Sequence, residues 1–518
     1  MHRLLYGWLG QIAWRAALTV GLLGLILACN AAIEDPSAPG KAVKGTPTAT
    51  PSPASASSPV ASPSPFPTLT PTSTPTPWPT ATTRPSPTHT PTPSPTPEPS
   101  PTPSVAVWHQ EIILQTYGWH QALVETTAGD AIYPYPRLDF DALGPPAPRA
   151  YRAVIIQNEY VRLTVVPELG GRILRWEDRT TGRQLFYANP VIKPARWGYR
   201  GWWLATGGME WAFPVEEHGL NEYRPWEYEL LWNGVRVWDT DDRTGLRVEL
   251  TIRLEEQSSA FSLTPRITNP TGAPQGYQFW ANAMLTLSER NRPSPALTFI
   301  LPDDAVTIHS RGDGSLPGPG DSLAWPIHDG RDFSHYSEYD EHLGFFADPA
   351  EAGFVGAYDL MNDQGIVRAF PPQIARGVKL FCLGDLSPEA WTDDGSRYFE
   401  LWGGVTPTFW DEDVLAPGEV VSWTEYWYSV AGIGGYNWAN RELAIRLLPA
   451  GETAELAVAS ARPMTVEVVL RRGGEPVARW PATVSPGTPF VAHGGPASGG
   501  DWGVWVFEGA EAIAQFGP

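Results

Sequence analysis

Glu400 lies in the run Tyr398-Phe-Glu-Leu-Trp402, where strand alternation puts Tyr398, Glu400 and Trp402 on one face. A carboxylate walled by two rings is poorly solvated. Its pKa rises toward the range where it can take a proton from a hydroxyl, and the same rings can stack on a sugar. The structural alternative is a carboxylate paired with an arginine of a neighbouring strand, such as Arg172. A second group stands upstream, in Gly207-Gly-Met-Glu210 and Glu217-His-Gly219, among Trp202, Trp203, Trp211 and Phe213. His218 has the chemistry to protonate the ring oxygen of a pyranose as it opens. Its alternative is a solvent-exposed loop histidine. Glu210, set between glycines and aromatics, suits hydrogen bonds to hydroxyls. In Tyr277-Gln-Phe-Trp-Ala-Asn282, Trp280 and Asn282 face the same way and offer a ring for stacking beside an amide. His328-Asp329, His335 and Asp340-Glu341-His342 fit no metal-ligand spacing and read as solvated loop. With no Gly-rich phosphate loop, nucleophile elbow or basic stripe, neither a metal nor another cofactor is expected.

These residues need strands to hold them, and the sequence from Val105 onward supplies them. Tyr160-Val-Arg-Leu-Thr-Val-Val166, Leu246-Arg-Val-Glu-Leu-Thr-Ile-Arg-Leu254 and Glu419-Val-Val-Ser-Trp-Thr-Glu-Tyr-Trp-Tyr428 alternate with period two between turn residues. No long run keeps a helical period. The expectation is an all-β unit from about 106 to 432. A second unit is expected at 437–518, a small immunoglobulin-like β-sandwich acting as an accessory module.

The first 28 residues carry Arg3 and Arg15 before an apolar stretch, Ala16 to Ala28, which fits a signal-peptide core. The ending Ile26-Leu27-Ala28-Cys29 resembles the lipobox of bacterial lipoproteins, which implies lipidation of Cys29 and a membrane anchor. Residues 29–105 are dominated by Pro, Thr, Ser and Ala and should form a disordered, polyproline-leaning stalk. The expected location is therefore extracytoplasmic and cell-membrane-anchored. A net charge of −20 repels phosphates, so nucleic acid is not an expected partner. Neutral carbohydrate remains open, and 24 Trp residues exceed what a core needs. Cys382, in Lys379-Leu-Phe-Cys-Leu383, reads as an inert buried residue.

Three stretches carry a family resemblance. They are Glu159-Tyr-Val-Arg-Leu-Thr-Val-Val-Pro-Glu-Leu-Gly-Gly-Arg-Ile173, then Asn189-Pro-Val-Ile-Lys-Pro194 with Gly207-Gly-Met-Glu-Trp-Ala-Phe-Pro214, then Tyr398-Phe-Glu-Leu-Trp-Gly-Gly404 followed by Leu415-Ala-Pro-Gly-Glu419 and Trp423. In this order they resemble a domain-of-unknown-function family within the galactose mutarotase-like superfamily, over roughly residues 106 to 430. The resemblance implies a β-supersandwich whose concave face binds a sugar, with Glu400 matching the general base that precedes an "L.PGE" turn. The substrate-binding set then comprises Glu210, Trp211, Trp280, Asn282, Trp402 and Arg172. The strand Tyr277–Asn282 lacks the acid histidine of mutarotases, which favours sugar binding at the cell surface over turnover. The alternative is a carbohydrate-active enzyme, an epimerase or a hydrolase or lyase, using Glu400 with Glu210 or His218. The separation of Glu400 and Glu210 would discriminate hydrolytic geometries.

Overall fold

The computed structural model describes residues 105–347 and 352–518. The expected leader, Cys29 and the stalk up to residue 104 lie outside the described residues. Two sheets dominate, one of fourteen strands and one of nine. Arg247–Leu254 shows why they form: Val248, Leu250, Ile252 and Leu254 are buried on one face, while Arg247, Glu249, Thr251 and Arg253 point the other way. Such inner faces from both sheets meet in one core that includes Val165, Ile173, Trp176, Leu250, Phe261, Leu401 and Trp427.

The middle of the larger sheet departs from simple alternation. Gly377–Cys382, Phe399–Gly404, Trp280–Leu285 and Met209–Ala212 are neighbours in that order, and every residue in them is buried. Phe399, Leu401, Ala281, Ala283 and Met209 face the inter-sheet core. Glu400, Trp402, Asn282 and Glu210 alternate with them and lie on the face turned away from that core. A sheet covered on both sides needs material there, and loops crowded with aromatics supply it.

The register stacks the side chains of this outer face in rows. Glu210 pairs with Asn282, Asn282 with Trp402, and Trp402 with Lys379. In the next row Met284 pairs with Glu400 and Glu400 with Phe381. In the row on the other side, Ala212 pairs with Trp280, Trp280 with Gly404, and Gly404 with Gly377. The two glycines have a specific job. A Cβ on Gly404 would sit 2.2 Å from the Trp280 ring, and one on Gly377 would sit 2.3 Å from it. Trp280 therefore lies flat across both strands.

Eight further strands form two four-stranded sheets, packed around Leu443, Ile445, Val458, Val468, Leu470, Val504 and Val506. This small sandwich seats on the nine-stranded sheet. Tyr358, Val367, Tyr428 and Val430 pack against Ala444, Ala457, Ala459 and Ala461. The alanines let the layers approach closely. The Tyr428 hydroxyl lies 2.8 Å from the carbonyl oxygens of Asn440 and Leu443.

Candidate functional site

Four adjacent strands and one loop build the site on this outer face. His218 belongs to the loop, which turns sharply at Glu217 and Gly219, both with positive φ. A Cβ on Gly219 would lie 2.3 Å from the Trp211 carbonyl oxygen, so only glycine lets the loop return so close to its own strand. His218 stacks on Trp203 with ring centroids 3.9 Å apart and planes 9° from parallel. Its Nδ1 donates to Glu210 Oε1 at 2.8 Å, which leaves Nε2 as the free ring nitrogen. Behind Glu210 stands Arg172, whose guanidinium lies 3.4 Å from Glu210 Oε2 and also donates to the Leu169 carbonyl and to Thr206.

Asn282 sits between two carboxylates. Its Nδ2 lies 3.2 Å from Glu210 Oε1 and 3.4 Å from Glu400 Oε1. Trp402 Nε1 donates to Glu400 Oε2 at 2.8 Å. Glu400, His218, Trp203, Trp402, Lys379 and Trp197 line one cavity.

Charge in this cluster is unevenly settled. Burial raises the Glu400 carboxyl above its ordinary value, against the opposing pull of His218, Lys379 and the Trp402 N–H. Burial also acts on Glu210. There the hydrogen bond and charge of His218, with Arg172 and Asn282, outweigh it and hold the carboxyl low. Burial disfavours the His218 cation, yet the Glu210 partner and the Glu400 charge lift its pKa above the ordinary imidazole value. The result is a carboxylate inclined to take a proton and an imidazolium inclined to hold one, both facing one space. That is the requirement for concerted acid and base work on a single ligand.

The expected residues now have positions. Glu400 and His218 meet in the cavity, with Trp402 beside them. Glu210 does not line it and acts on His218 from behind. Arg172 pairs with Glu210, so the proposed ion pair between Arg172 and Glu400 is not formed, and Arg172, 0% exposed, has no surface for a ligand. Asn282, also 0% exposed, joins the two carboxylates rather than meeting hydroxyls. Trp280 has no exposed face to stack on; its Nε1 donates to Gln278. Trp211 follows Glu210 in its strand and so points into the inter-sheet core. His328, His335 and His342 pair with nearby aspartates at the surface.

Sequence reasoning missed Lys379, Trp203 and His309 as cavity residues. Lys379 gave a usable signal, since a lysine inside an otherwise apolar strand must find some reason to be buried. Burial, and then the neighbouring Lys379, push His309 well below its ordinary value, so it stands neutral.

A two-sheet β-sandwich with a largely apolar, aromatic-walled cavity holding a carboxylate, a histidine and a lysine is the class of protein defined by these strands. Residues 128–430 match the family described as Domain of unknown function (DUF5107), and the chain belongs to that family. The fold is shared with a TPR-domain containing protein from Parabacteroides distasonis, at a TM-score of 0.55 and 21% identity over 63% of this chain and 55% of that one. The chain thus spans about half the length of that protein. A galactose mutarotase-like protein from Clostridium acetobutylicum matches at 12% identity and TM-score 0.38, over 54% of this chain and 96% of its own. A galactose mutarotase related enzyme from Lactobacillus acidophilus matches at 10% identity and TM-score 0.40, over 54% and 97%.

Proposed function

We propose that this protein acts on a carbohydrate held in the concave cavity, moving protons at the anomeric centre with Glu400 as base and His218 as acid. One observation carries the reading. Glu400 and His218 line the same cavity, and a buried carboxylate, Glu210, fixes and charges the histidine from behind. Glu400 takes the proton of the anomeric hydroxyl. The freed electron pair forms the carbonyl, the ring C–O bond breaks, and the ring oxygen takes the His218 proton. Reclosure on the other face returns both protons.

The lack of a histidine in Tyr277–Asn282 favoured binding alone. With His218 oriented by Glu210, that reason no longer holds. Two-carboxylate hydrolysis has weaker support, because Glu210 is occupied by Arg172 and His218 and is closed off from the cavity. The rings of Trp203 and Trp402 suit the apolar face of a sugar. We also propose that lipid on Cys29 anchors the protein at an extracytoplasmic membrane surface, with residues 29–105 as spacer. The lipobox-like ending and the Pro/Thr/Ser composition support this.

Magnetisation-transfer NMR on reducing sugars measures anomer exchange directly, with calorimetry for binding. Exchange faster than solvent, reduced about 10²–10⁴-fold by Glu400→Gln or His218→Asn, is the expected result. Binding without exchange would leave a recognition protein, and no sugar bound at all would sink the reading. For the anchor, fatty-acid labelling that survives Cys29→Ser would overturn the lipidation.

A further inference from the structure

Lys379 is a buried cation of the cavity that the acid–base steps give no proton to carry. It projects from Gly377–Cys382, is 3% exposed and lines the cavity. Among the described residues no hydrogen bond or ion pair reaches its ammonium. Ring faces surround it instead: its Nζ lies 4.5 Å from the Phe409 centroid, 4.7 Å from Trp402 and 5.0 Å from Phe381. Rings favour a cation but give its three N–H donors no acceptor. The side left free of rings is the cavity.

The charged groups around it are committed elsewhere. Arg172 and His218 are both bonded to Glu210. Glu400 takes its hydrogen bonds from Trp402 and Asn282. Glu217, partly exposed on the cavity wall, reaches Lys379 through charge and not through a bond. Burial lowers the Lys379 pKa, and the charges of Glu400 and Glu217 only partly counter that, which is the behaviour of a cation short of an anion. His309, which lines the same cavity, is neutral.

We propose, resting on the carbohydrate reading above, that the cavity takes an acidic sugar whose anionic substituent seats against Lys379. The spacing suits one ring. Trp402 pairs with Lys379 and lies two residues from Glu400 on the same strand, so Lys379 and Glu400 are diagonal neighbours, roughly 7–8 Å apart between Cα atoms. Both line the cavity, so one pyranose can meet Glu400 with its anomeric hydroxyl and Lys379 with a ring substituent. An anion supplies the acceptor that the ring cage cannot, as a charge-assisted hydrogen bond.

The test is calorimetry on the full chain with glucose and galactose, their uronic acids, and their 6-phosphates and 6-sulfates, with acetate and inorganic phosphate as controls. At least one acidic form should bind ten-fold or more tighter than its neutral parent, and the set separates carboxylate from phosphate and sulfate. Lys379→Met should erase that preference while leaving the affinity for the neutral parent within about three-fold. Equal affinity for neutral and acidic forms in the unaltered protein, or a preference that survives Lys379→Met, overturns the proposal. If Lys379→Met does not fold, the panel on the unaltered protein decides alone. Binding of neutral sugars without preference ends this proposal only, whereas no binding of any sugar ends the carbohydrate reading with it.

Discussion

The two large sheets each carry the same three-residue pattern, Glu-x-Trp, and use it differently. In Phe399–Gly404, Trp402 Nε1 donates to Glu400 at 2.8 Å; in Glu425–Ala431, Trp427 Nε1 donates to Glu425 at 3.0 Å. Both carboxylates are buried, 4% and 1% exposed. The difference is one arginine. Arg368 reaches Glu425 with two N–H groups at 2.7 and 3.1 Å, closed in between the sheets above Gly403. Glu400 has no arginine and opens on a cavity. The comparison separates a charge neutralised for the sake of the fold from one left reactive. Burial alone does not mark a working carboxylate; burial without a committed cation, beside open space, does.

Breaking the Glu425 side should cost most. Arg368→Met strands a buried carboxylate and is expected to lower stability by about 3–5 kcal/mol, read by urea unfolding. The matching change at the cavity, Glu400→Gln, should slow sugar exchange about 10²–10⁴-fold yet leave stability at neutral pH unchanged or raised by about 1 kcal/mol. The sign follows from the direction of the shift. Glu400 has a higher pKa folded than unfolded, so its burial costs stability as pH rises out of the ordinary carboxylate range. The stability gap between Glu400→Gln and the unaltered protein should therefore widen with pH there and close again in acid. A gap that shrinks as pH rises would mean Glu400 is a stabilised carboxylate after all.

Gly404→Ala tests the strand that carries Glu400. Its Cβ would collide with the Trp280 ring, and the expected cost is about 1–3 kcal/mol with altered tryptophan fluorescence. Smallest is the loss of each indole donor. Trp427→Phe leaves Glu425 its arginine and should cost about 0.5–1.5 kcal/mol. Trp402→Phe should instead move the acid limb of the exchange rate to higher pH, because Glu400 loses a donor that lowers its pKa. No movement of that limb would mean that Glu400 is not the base.

His218 and Glu210 add opposite pH dependences. The raised His218 contributes stability that is complete below the ordinary imidazole value and is lost as pH rises through its higher folded value. Glu210, held low, contributes stability above the ordinary carboxylate range that is lost as pH falls through its folded value.

Much of the sheet structure is legible in the sequence, because period two survives wherever one face is buried and the other wet, as in Arg247–Leu254. The placement of Glu400 with Trp402 follows from the same rule. The rule also puts Trp211 opposite Glu210, but aromatic crowding around Glu210 obscured it. Trp280 is harder to read. Its ring lies flat only because glycines stand at 404 and 377 on the two strands beside it, and that adjacency is a fact of register, not of sequence. The link from His218 to Glu210 likewise needs a loop that folds back over its own strand. Lys379 stands out as a lysine in an apolar run, but which face it takes, and what it meets there, depends on the register with Phe399–Gly404.

The join between the two sandwiches has a calorimetric meaning. Tyr428 and Val430 end the large unit, and their cover is the alanine face of the small one, with the Ser259 N–H bonded to the Ala461 carbonyl at 2.7 Å. Melting the small sandwich alone would wet that sheet face at once, and melting the large one alone would strip the alanines of their neighbours. Heat should therefore find one transition in this chain, not two.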